Sequence, residues 1–152
     1  MLNYAYSVGA GGMAYFLEGA LRCAERYPLM KHILIVEDNV GTTLLLERCF
    51  VERGFKVSVA HDGKTGLKIA EAYYPDLILL DLNLPGLPGE EVCRSIKHSY
   101  NRSLRDIPII MITGKDSDVD SIAGRVLGAA EYLTKPIRMI EQISKVRYLL
   151  AA

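Results

Sequence analysis

Five short runs of Ile, Val and Leu, spaced along the chain from residue 30 onward, constrain its fold more than any other feature. They occupy residues 32–36, 56–60, 77–80, 107–112 and 131–133. Each is nearly continuous in hydrophobicity and lacks polar alternation, the pattern of strands whose two faces are both covered. The segments between them are helix-length and have recognisable ends. Asn39 can cap the first, which Gly54 stops after Arg53; Asp62 can cap the second, which Pro75 stops. Val119, Ile122, Ala123 and Val126 recur at i, i+3, i+4, i+7, with Gly128 placed to end that helix. Ile140, Ile143 and Val146 predict one apolar stripe on the last helix, with Glu141 and Lys145 as an i, i+4 surface pair. Five strands alternating with five helices predict an α/β fold, a doubly wound parallel sheet with its active crevice at the carboxyl ends of the strands.

Composition narrows what such a sheet can serve. A chain of 152 residues, half of them hydrophobic and with 18 basic residues balancing 18 acidic ones, is expected to form one globular domain. Neutral balance removes the massed basic face that direct nucleic-acid binding requires. Cys23, Cys49 and Cys93 have neither zinc-ligand nor disulfide-framework spacing and are expected to be reduced thiols of a cytoplasmic protein. The apolar stretch at 4–17 is interrupted by glycine, has no preceding Lys or Arg and is too short to span a bilayer, so no membrane insertion is expected.

The strand ends carry the chemistry. The first strand ends in "VEDN", the third in "LLDLN", the fourth in "MITGK", and the fifth runs into "YLTKP". Glu37, Asp38, Asp81, Thr113 and Lys135 are thereby predicted to converge on one rim. An acidic residue after a strand is by itself commonly a helix cap or a solvated loop residue, and it is the set that points to chemistry. Clustered carboxylates repel unless a cation lies among them, and an all-oxygen site suits Mg²⁺ or Mn²⁺ better than Zn²⁺. Lys135 and Thr113 add an ammonium and a hydroxyl for the oxygens of a phosphoryl group. Asp81 is then placed as a nucleophile for phosphate.

The segments "ILIVEDN", "PDLILLDLNLPGLPG", "IPIIMITGK" and "GAAEYLTKPI", in this order, resemble the receiver domain of two-component response regulators, the stand-alone chemotaxis-regulator type in particular. The likeness runs from Met30 to the end of the last helix. It implies a flavodoxin-like sheet of strand order 2-1-3-4-5. It also implies that Glu37 and Asp38 hold Mg²⁺, directly or through water, that Asn83 adds its backbone carbonyl to the metal, and that Asp81 accepts a phosphoryl group. Thr113 and Lys135 match the family's hydroxyl and lysine, Pro136 the proline whose peptide bond is usually cis, and Tyr132 the aromatic switch residue. The implied partners are a sensor histidine kinase or histidine phosphotransfer protein and a downstream protein target. Gly114 stands where alanine is frequent in the family, and is expected to keep access to the site open.

Other classes fit less well. A phosphatase of the haloacid dehalogenase type wants a second Asp two residues after the nucleophile, where this chain has Asn83. A flavodoxin-like cofactor binder wants a hydroxyl- and glycine-rich cradle after the first strand, where this chain has Glu37 and Asp38. A receiver-like binding module that is never phosphorylated would not need the complete acidic, hydroxyl and lysine set. His32, His61 and His98 show no ligand spacing and are read as strand-end or surface residues, Tyr73, Tyr74 and Tyr100 as core-edge packing, and Lys64 and Lys68 as a solvated helix face.

Residues 1–29 precede "MKHILIVEDN", and two readings of them are open. Met30 is the initiator, or residues 13–27 form a genuine amphipathic helix with Leu17, Ala20, Leu21 and Ala24 on one face. Residues 30–152 are the expected receiver domain. As this sequence stops directly after the last helix and encodes no DNA-binding or enzymatic module, output is expected to pass through a protein partner or through a module outside this sequence.

Overall fold

The computed structural model describes residues 30–114, 128–136 and 138–151. The chain divides into two units, Met1–Met30 and Lys31–Ala152, and every element below belongs to the second. The helices expected over 13–27 and around 119–126 lie outside the described residues.

Five strands, β1 (His32–Val36), β2 (Lys56–Ala60), β3 (Leu77–Asp81), β4 (Ile109–Thr113) and β5 (Glu131–Thr134), form one sheet of order β2-β1-β3-β4-β5. All neighbours run parallel. Among the described residues the helices are α1 (Val40–Val51), α2 (Gly63–Tyr73), α3 (Gly89–Lys97), a single turn α4 (Arg102–Arg105) and α5 (Met139–Ala151). Successive strand side chains feed two separate cores, as a pleated strand covered on both sides must. Leu34, Val36, Ile78, Leu80, Ile109 and Met111 pack with Ala70 of α2 and with Val92, Cys93 and Ile96 of α3. Ile33, Ile35, Leu77, Leu79, Ile110 and Ile112 pack on the opposite face with Leu46 and Phe50 of α1 and Val146 of α5.

The helix ends follow from local chemistry. The Asn39 side chain accepts from the Thr42 backbone N–H, and the Asp62 side chain from that of Thr65. Helix α1 ends at Val51, before Gly54, which takes a φ of 84°. Helix α2 ends on Tyr74 in the left-handed region, one residue ahead of Pro75. Strand β4 starts at Ile109 and not at Ile107, because Pro108 has no N–H to give to the ladder; its carbonyl instead accepts from the Ile78 N–H.

Three readings of side-chain placement need correction. On α5, Ile140 is 80% exposed, and the face toward the sheet is formed by Met139, Gln142, Ile143 and Val146. Lys145 reaches across to Glu131 of β5 at 2.6 Å, so its ion pair ties helix to strand and is not the i, i+4 pair with Glu141. Tyr73, Tyr74 and Tyr100 do not pack at the core edge; all three are exposed, Tyr100 completely. The Tyr74 hydroxyl accepts from the Asn101 amide, a surface contact. Lys64 and Lys68 are exposed as expected, His61 and His98 lie at the surface, and Cys49 and Cys93 are buried thiols in no disulfide.

Candidate functional site

Parallel register is what brings the site together. Val36 pairs with Leu80, Asp81 with Ile112, and Thr113 with Thr134, so the carboxyl ends of β1, β3, β4 and β5 lie side by side. Glu37 follows β1 directly, Asp81 and Thr113 are the last residues of their strands, and Lys135 follows β5. Residues separated by nearly a hundred positions thus share one rim.

Lys135 links two of the acids. Its ammonium donates to Glu37 Oε2 at 3.0 Å and to Asp81 Oδ2 at 2.5 Å, and both carboxylates are only 1% exposed. Glu37 Oε1 accepts from the Asn39 backbone N–H at 3.2 Å, and Asp81 Oδ1 from the Asn83 backbone N–H at 3.1 Å. Asp38 is exposed, and its carboxylate completes a cluster with Glu37 and Asp81 in which one oxygen from each lies within 4.8 Å of the others. Burial pushes the Glu37 carboxyl above the usual range; Lys135 pulls it down and the Asp81 charge pushes it up, with a net upward shift. Burial works against the charge on Lys135, but its bonds to Asp81 and Glu37 outweigh that and hold its pKa above the ordinary lysine value.

Backbone packing fixes Asp81 from behind. A Cβ at Gly89, the first residue of α3, would lie 2.2 Å from the Asp81 carbonyl oxygen, and one at Gly63 would lie 2.1 Å from the Leu87 carbonyl oxygen. The glycines of the "PGLPG" turn and of α2 therefore let two helix starts close on the loop that carries the acid. At Gly114, by contrast, an added Cβ would meet nothing nearer among the described residues than the Asn83 amide at 4.0 Å.

Thr113 is buried, and its hydroxyl donates to the Gly114 carbonyl at 3.1 Å while its own carbonyl accepts from the Lys135 N–H at 2.7 Å. The Lys135–Pro136 peptide bond is cis. Tyr132 packs against the α2/α3-side core with its hydroxyl 2.9 Å from Met111 Sδ. The Asn83 side chain is exposed. His61, outside the predicted set, brings Nδ1 to 3.1 Å from the Glu37 carbonyl oxygen.

The response regulator receiver domain model matches residues 33–147. Among solved structures, the chain is similar to a putative response regulator from Chloroflexus aurantiacus at 29% identity and a TM-score of 0.75, covering 81% of this chain and 99% of that one. It is also similar to the signal receiver domain of a signal transduction histidine kinase from Syntrophus aciditrophicus, at 30% identity and a TM-score of 0.73 over 80% of this chain and 90% of that one. A third match is the BeF3-activated N-terminal receiver domain of RstA from Klebsiella pneumoniae, at 27% identity and a TM-score of 0.72 over 80% and 100%.

Proposed function

The chain belongs to the response regulator receiver domain family, and from that premise we propose that it accepts a phosphoryl group on Asp81 from a histidine kinase or histidine phosphotransfer protein. The observation that carries this reading is the Asp81 carboxylate itself. It is buried, oriented through one oxygen by the Asn83 N–H and through the other by Lys135, at the end of a strand that faces the open rim. In the transfer, an Asp81 oxygen forms a bond to phosphorus while the phosphorus–nitrogen bond of the donor phosphohistidine breaks. The imidazole leaves with the electron pair and takes up a proton.

The donor set fits a hard divalent cation such as Mg²⁺. It is all oxygen, it holds buried and exposed carboxylates within 4.8 Å of one another, and the neighbouring Lys135 ammonium is already shared between two acids. Glu37, Asp38 and Asp81, with the main-chain carbonyl of Asn83, would hold the ion. Bound there, it would supply charge neutralisation for the carboxylates and the phosphoryl oxygens. Lys135 and Thr113 then serve the phosphoryl oxygens that remain, the first by charge and the second by a hydroxyl donor. Asn83 cannot act as the general acid that a phosphatase would place two residues beyond its nucleophile. Among the described residues no helix is long and apolar enough to cross a membrane.

The test is incubation with Mg²⁺ and acetyl phosphate, read by intact-protein mass spectrometry. Wild type is expected to gain one base-labile phosphoryl group and Asp81→Asn none; equal incorporation in the variant would overturn the assignment.

A further inference from the structure

We infer that the cavity between α1 and α5, beside the acidic rim, binds a small neutral or cationic molecule that has an apolar body and an amide-like head. The cavity has a volume of about 700 Å³, within the range of roughly 300–1,000 Å³ common for ligand sites. Its deep walls are apolar, from Leu46 and Ile112, both almost fully buried, and Met139 and Leu45 stand nearer its mouth. Such a lining suits an aromatic or branched aliphatic body.

Gln142 defines the head. It is 3% exposed, on the sheet-facing side of α5 where an aliphatic residue would fill the same space. Its backbone N–H is used within the chain, donating to the Arg138 carbonyl. Its side-chain amide makes no hydrogen bond with the described residues, yet neither its nitrogen nor its oxygen is sealed off from solvent, and the residue lines the cavity. A buried primary amide in this position offers an NH₂ group to donate and a carbonyl oxygen to accept, and a group that answers both is favoured over one that answers neither.

Charge decides between heads of similar shape. Glu37 lines the cavity with Asp38 and Asp81 close behind it, and Lys135, the ammonium that lines that wall among the described residues, is already bonded to both Glu37 and Asp81. An anionic head would face uncompensated carboxylates, while a neutral amide or a cation would not. This selectivity does not depend on whether Asp81 accepts phosphate.

Benzamide, benzamidine and benzoate share one ring and differ in the charge of the head, so they test the inference directly. Each is titrated into the ¹⁵N-labelled full chain in buffer free of divalent cations, following the Gln142 side-chain amide and the backbone amides of Thr42 and Met139. Benzamide and benzamidine are expected to shift these signals with Kd on the order of 1 mM, and benzoate to bind at least about tenfold more weakly. Gln142→Leu is expected to remain folded and to weaken benzamide about tenfold. Gln142→Met serves in its place if the leucine variant does not fold. Absence of binding by all three probes, equal binding of benzoate, shifts centred elsewhere, or unchanged benzamide affinity in a folded variant would overturn the inference.

Discussion

Of the three clustered carboxylates only Asp38 is exposed, which makes it the residue that separates metal binding from packing. Even an outer partner of a bound metal is worth about 10–100-fold in affinity. Asp38→Ala is therefore expected to weaken Mg²⁺ by at least that much in isothermal titration calorimetry, with stability to urea unchanged within about 0.5 kcal/mol. Wild-type affinity in the variant would make the cluster structural only. His32 is the counterpart at the far end of β1. It is buried with Nε2 2.8 Å from Ser58 Oγ, and burial first, then the Lys56 charge, hold its pKa below the ordinary value of 6.5 against the opposing pull of Asp76. Because the folded state disfavours the imidazolium, the unfolded chain binds more protons just below pH 6.5. The stabilisation from neutral His32 is complete above 6.5 and is lost as the pH falls from there through the lowered folded value. The urea midpoint of wild type is expected to drop over that window more steeply than that of His32→Gln; parallel curves would contradict it.

Among the elements, α5 shows how far a helix can be read from its sequence. Val146 is fully buried and Ile140 is 80% exposed, so Val146→Ala is expected to cost about 2 kcal/mol in urea unfolding and Ile140→Ala less than about 0.5 kcal/mol. The apolar spacing 140, 143, 146 reads equally well from sequence, but the helix begins at Met139 and its buried face runs through 139, 142, 143 and 146. A glutamine in that face gives no hydrophobic signal, so the phase was misplaced. The strands were legible because continuous aliphatic runs leave few alternatives, and the single shifted start, at β4, follows from one proline. The site residues were legible for a related reason. Glu37, Asp81, Thr113 and Lys135 each interrupt or follow an apolar run, and a parallel sheet gathers such interruptions at one edge. What no local pattern contains is a contact made by long-range packing, such as Lys145 crossing to Glu131, Gly89 seating α3 on the Asp81 carbonyl, or the exposure of Tyr73, Tyr74 and Tyr100.

At the scale of the whole molecule, the chemistry proposed for Asp81 is expected to reach a distant surface through the sheet. Thr113 and Met111 lie on β4 opposite Thr134 and Tyr132 on β5, and the Tyr132 hydroxyl rests on Met111. Tyr132, at the position that resembles the family's aromatic switch, is half-buried and packs against the core here, so phosphorylation would act by shifting a population toward or away from this packing and not by an obligatory swing. On addition of beryllofluoride and Mg²⁺, the Tyr132 amide and Met111 methyl signals are expected to move in wild type and to respond weakly in Thr113→Ala. An identical response would show that the hydroxyl does not transmit the signal. All of this depends on where the phosphoryl group resides, and reductive trapping locates it at single-residue resolution. Borohydride delivers one hydride to an acyl phosphate, expelling phosphate to leave an aldehyde, and a second hydride with a proton from water gives a primary alcohol, which marks the phosphorylated aspartate permanently. After phosphorylation with acetyl phosphate and Mg²⁺, peptide mass mapping is expected to find the converted side chain at Asp81 alone; conversion at Asp38 or Glu37, or none at Asp81, would contradict the account.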